Sequence, residues 1–255
     1  MAYYQPQRHL RQEPIQDASK CVVLFIDVQN YNCHRGGAIY KQEGKSDEED
    51  PGVSYFFSRL EATCIPAWTR LRAACRSAGV EVLYTVIQSL TADGRDRGLD
   101  YVISGFHVPP GSWDAQMIEQ LAPGPDEMVL PKTSSSVFNS TNIDYILRSM
   151  GVRQLVVAGC VTDQCVAHAV MDGCDLGYLV TLVPDATATY SQQRQDAALA
   201  AVGGYCRQRS VEQLEAELQA LAPGRRQQPE QGQEKAQAGR KRAATGPAVE
   251  GSGDE

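Results

Sequence analysis

Three residues of reactive type, Asp27, Lys132 and Cys165, each stand where an apolar run of strand length gives out. Asp27 closes CVVLFID, Lys132 closes EMVLPK, and Cys165 follows QLVVAG after the short turn CVTDQ. In an open parallel sheet, ligands bind outside the carboxyl ends of the strands, so three such ends can assemble residues far apart in sequence. A carboxylate, an ammonium and a thiol meeting there can attack a carbonyl carbon: the carboxylate takes the thiol proton, the sulfur is the nucleophile, and the ammonium steadies both.

The turn expected over Gly159 to Gln164 puts Cys165 on the first turn of a helix. Unpaired N–H groups and the helix dipole favour thiolate at that place, and a nearby Lys132 would lower the thiol pKa further. The same N–H groups could hold an oxyanion. Taken singly, each residue also has a plainer role. Cys165 could be an inert buried thiol, as Cys160 and Cys174 are expected to be; Asp27 could cap backbone donors; Lys132 could be solvated after a buried strand. Their joint placement is what points to a hydrolase.

The elements that must position these residues are legible as a pattern. Strand candidates are Cys21 to Asp27, Val80 to Ile87, Glu127 to Lys132, Gln154 to Gly159 and Leu179 to Asp185. Helix-period segments run over Ser58 to Ser77, Trp113 to Leu121, Asn142 to Met150, Cys165 to Gly173 and Ser191 to Gly203. Strands that are apolar throughout must be buried on both faces, which predicts a mainly parallel sheet in a three-layer α/β/α sandwich of Rossmann-like architecture. Gly79, Gly151 and Gly177 each precede a strand and serve as left-handed helix stops. The acidic stretch Gly36 to Gly52 reads as a long loop in the first crossover, of a length often used for lids or interface arms.

Length and composition bound the rest. At 255 residues, 42% hydrophobic and 22% charged, the chain suits one hydrolase domain over 21–221, with an N-terminal extension over 1–20 and a disordered tail over 222–255. A basic cluster within that tail, 239–242, reads as solvated. A formal charge of −7 gives no attraction for nucleic acid or anionic membranes, so the expected partner is a small-molecule substrate, neutral or cationic. Neither a membrane span nor a secretory h-region is visible, and eight scattered cysteines fit a reduced cytoplasm. CVTDQC lacks metal-ligand spacing, as do His34, His107 and His168, so no metal is expected.

Beyond these readings, the sequence resembles the isochorismatase-like cysteine hydrolases, in the branch of ureidoacrylate, biuret and N-carbamoylsarcosine amidohydrolases. The blocks LFIDVQN, LPKTSSSVFNST, AGCVTDQCVAHAVMDGCDLGY and VPDATAT carry the likeness in this order, over about Cys21 to Leu214. The resemblance implies that Cys165 is the nucleophile, Asp27 the general base and acid, and Lys132 the supporting cation. It further implies a cis peptide at Val161 to Thr162, an oxyanion hole at the N–H groups of Thr162 and Cys165, and pocket roles for Gln29, Asn30 and Phe138. Asn30 could equally be a structural turn residue. No cofactor is expected, because Ile87-Gln88-Ser89-Leu90 stands where nicotinamidases of the superfamily carry an Asp-x-His metal motif. Gln88, Arg95 and Arg97 could read a urea-like or carboxylate-bearing substrate, although the two arginines also fit a solvated loop.

The expected activity is cleavage of a C–N bond in a small amide, ureido or N-carbamoyl compound through a thioester. A vinyl-ether hydrolase of the isochorismatase type, with little dependence on Cys165, is the alternative. A catalytically silent binding protein is a third reading. The resemblance also implies a homo-oligomer.

Overall fold

The computed structural model describes residues 8–221 apart from 47. The expected tail and its basic cluster lie outside the described residues, as does the start of the N-terminal extension. Every strand is parallel, in one sheet of order β3-β2-β1-β4-β5-β6. The strands are β1 (Cys21–Ile26), β2 (Glu81–Ile87), β3 (Met128–Lys132), β4 (Gln154–Cys160), β5 (Leu179–Ala188) and β6 (Arg207–Gln208). The chain steps outward from β1 to β3, returns to lay β4 against the other side of β1, and steps outward again. Strand order therefore reverses between β1 and β4, and a crevice opens beyond their carboxyl ends.

β1 explains why the sheet is covered on both sides. All six residues are buried; Cys21, Val23 and Phe25 enter one core, while Val22, Leu24 and Ile26 enter the other. Burying each Val, Leu, Ile or Phe contributes on the order of 1.5–3 kcal/mol, and only helices on both faces can collect that from a single strand. On the first face α3 (Pro51–Arg59), α4 (Ile65–Ala78) and α10 (Val211–Leu221) supply Phe56, Trp68, Leu71 and Leu214. On the second, α7 (Ile143–Ser149), α8 (Ala167–Asp175) and α9 (Gln192–Val202) supply Leu147, Val170 and Val202. The expected three-layer sandwich is what forms. Gly79, Gly151 and Gly177 take φ of 76°, 70° and 91°, the left-handed stops that the pattern implied.

Three segments differ from the pattern. Helix extends earlier than Ser58, because Asp50 accepts from the N–H groups of Gly52 and Val53 and starts α3 at Pro51. α3 then passes into α4 through a wide turn at Leu60–Cys64, where the N–H of Ile65 reaches the carbonyl of Leu60. Pro66, which has no N–H to give, follows directly. The acidic stretch also forms a short helix, α2 (Ala38–Glu43), after α1 (Asn30–Cys33). Finally, Trp113 to Leu121 has helical spacing but forms two single turns, Trp113–Ala115 and Glu119–Leu121. Between them the chain is extended, because Gln29 and Met117 pair antiparallel and the N–H groups of Asn30 and Ile118 bond to Gln116 and Val28. Tertiary pairing overrides local periodicity there.

The described part of the N-terminal extension packs on the domain. Ile15 is buried in the first core, its N–H bonds to Glu217, and the Gln154 amide donates to the carbonyl of Pro14.

Candidate active site

β1 ends one residue before Asp27, which takes φ 52°. Only a local demand keeps a non-glycine residue in the left-handed region, at a cost of about 1–3 kcal/mol. The backbone N–H of Asp27 remains tied to the Thr85 carbonyl, and the Thr85 hydroxyl donates to Asp27 Oδ1 at 2.8 Å. That leaves Oδ2 for Lys132, whose Nζ lies 2.9 Å away. Lys132 comes from the end of β3, in register with Ile87 of β2, so its side chain reaches past β2 to the end of β1. Its three ammonium protons go to the Tyr101 hydroxyl at 2.9 Å, the Ser134 carbonyl at 3.0 Å and Cys165 Sγ at 3.3 Å, so the contact with Asp27 is an ion pair. Asp27 and Lys132 are each 0% exposed and Cys165 5%.

The turn that carries Cys165 is anchored from behind. Gly159 has φ 118°, and a Cβ there would meet the Ile26 carbonyl oxygen at 2.1 Å; only glycine lets the end of β4 press against β1 so closely. The bond between Cys160 and Val161 is cis. This corrects the sequence expectation by one residue: the motif indicates the turn, and the path of the backbone out of β4 indicates which bond. A wide first turn follows over Thr162–Val166, with the N–H of Val166 reaching the Val161 carbonyl. The Thr162 hydroxyl donates to Gln195, which is buried and donates to Thr187. Asp163 accepts from Thr189 and Arg194. Side chains of Thr187, Thr189, Arg194 and Gln195 thus fix the turn that carries Cys165.

Charge in this cluster runs against one expectation. Burial pushes the Cys165 thiol up, from 9.0 to about 11; Lys132 pulls it down, and the charge of Asp27 and its hydrogen bond push it up again. Ionising the thiol would put a second anion beside Asp27 at a buried sulfur, which opposes the thiolate that a helix start favours. Burial alone would lower the Lys132 pKa, but Asp27, Cys165 and Tyr101 outweigh it and hold the ammonium well above its ordinary range. Burial raises Tyr101, so it remains a neutral phenol.

The cluster borders a cavity of about 400 Å³. Its walls include Asn32, Tyr101, Phe106, Val161, Gln164 and Tyr190, and the crossover after β1 adds Ile39, Lys45, Asp50 and Val53. The long acidic segment is therefore in part a wall of the site. The expected pocket residues lie elsewhere. Gln29 is wholly buried, and its amide is spent on backbone: it donates to the carbonyls of Ile87 and Asp114 and accepts from the Ile87 N–H. Asn30 donates to the Trp113 carbonyl, which fits its structural reading. Phe138 stacks on Tyr178 beside the second core. Gln88, next to the cavity residue Ile87, does not line the cavity. Arg97 braces its own loop through the carbonyls of Gly94 and Phe106, and Arg95 pairs with Asp93 on the surface. Tyr101, Thr85, Asn32 and Gln164 were not singled out from sequence; only Tyr101 carried a cue, as an aromatic residue soon after the end of β2. Among the described residues no helix is long and apolar enough to cross a membrane.

A buried thiol, ammonium and carboxylate meeting at the carboxyl ends of a parallel sheet define a nucleophilic hydrolase site. The Isochorismatase domain model matches residues 21–213, and the chain belongs to the isochorismatase family of hydrolases. It is 30% identical over 202 residues to ureidoacrylate amidohydrolase RutB of Azorhizobium caulinodans, with 69% of this chain and 80% of that protein covered. Among solved structures it resembles a cysteine hydrolase from Pseudomonas syringae pv. phaseolicola, with TM-score 0.68, 22% identity, and 82% of this chain and 96% of that one covered. It also resembles N-carbamoylsarcosine amidase from Thermoplasma acidophilum, with TM-score 0.57, 22% identity, and coverage of 76% and 97%. At these identities the structural likenesses bear on the fold.

Proposed function

We propose that the protein is a cysteine amidohydrolase that cleaves a C–N bond in a small ureido, N-carbamoyl or related amide compound, using its own side chains and no cofactor. The observation that carries this reading is the contact of Lys132 with both Asp27 and Cys165 at the cavity edge. Similarity to a ureidoacrylate amidohydrolase supports the choice of bond.

Because the resting sulfur keeps its proton, the reaction begins when Asp27 accepts that proton as the sulfur attacks the carbonyl carbon. Lys132 stays charged and offsets the negative charge that moves between carboxylate, sulfur and oxyanion. The N–H groups at the turn from Thr162 to Cys165 are the candidates to receive the oxyanion. Asp27 returns the proton to the departing nitrogen, which leaves as ammonia or an amine and a thioester on Cys165. On a ureido carbonyl the same adduct is a thiocarbamate. Asp27 then draws a proton from water as the water oxygen attacks the acyl carbon and passes that proton to the departing sulfur, which releases a carboxylic or carbamic acid and restores the Cys165 thiol. One carboxylate serves both half-reactions, which its placement beside Lys132 allows.

The test is ammonia release from ureidoacrylate, biuret, N-carbamoyl amino acids and nicotinamide, with wild type and Cys165→Ala compared in the presence of chelator. Chelator-resistant turnover that disappears in Cys165→Ala is the expected result. Turnover that survives the substitution would overturn the covalent mechanism. Silence with every amide would move the reading to ether cleavage, with isochorismate as the next substrate, or to a binding role. A homo-oligomer in the cytoplasm accords with this reading, and light scattering on the purified protein tests the assembly.

A further inference from the structure

We propose that Tyr101 is a specificity-determining residue: its phenolic O–H grips a second hydrogen-bond acceptor on the substrate, a carbonyl or carboxylate oxygen beside the scissile ureido group. The inference rests on the amidohydrolase reading above and goes beyond it by naming a substrate feature and the residue that selects it.

The argument is one of counting protons. A lysine ammonium can only donate, so at the 2.9 Å contact between Lys132 Nζ and the Tyr101 hydroxyl the phenol oxygen is the acceptor. The phenol's own proton is then left over, and none of the described residues accepts it within hydrogen-bond reach. Tyr101 is 1% exposed and borders the cavity, so the O–H is open only to what the cavity holds. A buried donor is costly to leave without a partner, and in a cavity of substrate size the natural partner is a substrate atom.

Other features make the donor strong and fixed. Accepting from a cation polarises the O–H toward its next acceptor. The ring packs edge-on against Phe106 at 5.4 Å between centroids, and Lys132 lies 5.6 Å from its centroid, so the hydroxyl cannot swing away without breaking the ammonium contact. Burial holds the group as a phenol, so it offers a proton and not a negative charge. The mechanism proposed above gives the attacked carbonyl oxygen to the N–H groups of the turn at Thr162 to Cys165, so the acceptor assigned to Tyr101 is a different oxygen. Lys45 and Arg194 border the same cavity, paired with Asp50 and Asp163, so a carboxylate as well as a carbonyl can be accommodated there.

The test compares paired substrates that share one ureido group. Biuret and N-carbamoylglycine carry a carbonyl and a carboxylate as the second acceptor; N-propylurea and N-isobutylurea match them in size and carry none. For wild type, the expected kcat/KM favours an acceptor-bearing member over its alkyl partner by on the order of tenfold or more. In Tyr101→Phe, which keeps the ring but takes one acceptor from Lys132, kcat/KM falls on every substrate, and it falls further on the acceptor-bearing members, so that their preference shrinks to within about threefold. Whichever of biuret and N-carbamoylglycine shows the larger loss identifies the acceptor. A wild-type enzyme that turns over the alkylureas equally well overturns the proposal without any mutant. So does a Tyr101→Phe enzyme that lowers both members of each pair by the same factor, which is the mark of a residue that only positions Lys132. No turnover in any arm removes the amidohydrolase reading and this inference with it, whereas equal turnover removes the inference alone.

Discussion

Among the described residues two cations are buried, near opposite ends of one sheet, and they are handled differently. Lys132 stands at the carboxyl end of β3 with Asp27, Cys165, Tyr101 and the Ser134 carbonyl around its Nζ. Arg207 stands on β6, in register with Thr181 near the amino end of β5. Its guanidinium is held by three hydrogen bonds: Nε donates to the Thr181 hydroxyl, and the two terminal nitrogens form a fork on Glu217 at 3.0 and 2.9 Å. The planar fork suits a permanent clamp, tying β6 to α10 and, through the Glu217 bond to Ile15, to the N-terminal segment. The ammonium is a point charge that tolerates changing partners, which is what a site needs when a proton moves from sulfur to carboxylate and back. One arrangement holds structure and the other keeps charge balanced through a reaction.

Deleting each cation tests that contrast most severely. Lys132→Met leaves Asp27 buried without its counter-charge, so we expect a stability loss of ~3–5 kcal/mol and no measurable turnover. Arg207→Met leaves Glu217 about one-fifth exposed and still near Arg209, so the loss should be smaller, ~1–3 kcal/mol, with kcat unchanged in the folded protein. Urea denaturation and ammonia release measure the two quantities on the same samples. If Arg207→Met reduced kcat as Lys132→Met does, the division between structural and reacting pair would be wrong.

Gln29 sharpens the contrast within a few residues of Asp27. Sequence proximity to the carboxylate suggested a substrate-facing amide; the structure spends that amide on Ile87 and Asp114. Gln29→Met keeps the length of the side chain and deletes these bonds. It should cost roughly 2–3 kcal/mol of stability while KM moves less than about threefold in the folded fraction. A selective rise in KM at unchanged stability would return Gln29 to the pocket.

These cases separate what could be read from sequence from what could not. β1 was legible because six consecutive apolar residues can be satisfied only by burial on both faces, and Asp27 stood out as the charge that ended the run. Cys165 and Lys132 were legible for the same reason, each following its own apolar strand. β6 was not, since two residues at a sheet edge leave no periodicity to detect. The cavity wall was not either: Tyr101 lies on the short helix α5 (Leu99–Ile103) in the β2 to β3 crossover, and nothing local tells that its ring turns inward to Lys132. The order of the strands, which sets who faces whom beyond their ends, is a property of the whole chain. The helix position of Cys165 could be read from the sequence, but the burial and the neighbouring Asp27 that push its thiol up could not.

That last point yields the mildest and most direct experiment. A thiol held at about 11 by burial and Asp27 carries less thiolate at pH 8 than a free cysteine at 9.0, so iodoacetamide should label Cys165 slowly there. Its rate should keep rising with pH through about 11 and not level off near neutrality as an activated thiolate would. Asp27→Asn removes the anion that raises the thiol pKa while Lys132, which lowers it, remains; labelling of that variant should therefore begin at lower pH than in wild type. Peptide mapping separates Cys165 from the other seven cysteines. A plateau near pH 7 in the wild-type protein would restore the resting thiolate and shift the first step from proton transfer to direct attack. The rising profile leaves Asp27 as the group that takes the proton, and it also means that weak labelling by a general electrophile does not mark the site as catalytically silent.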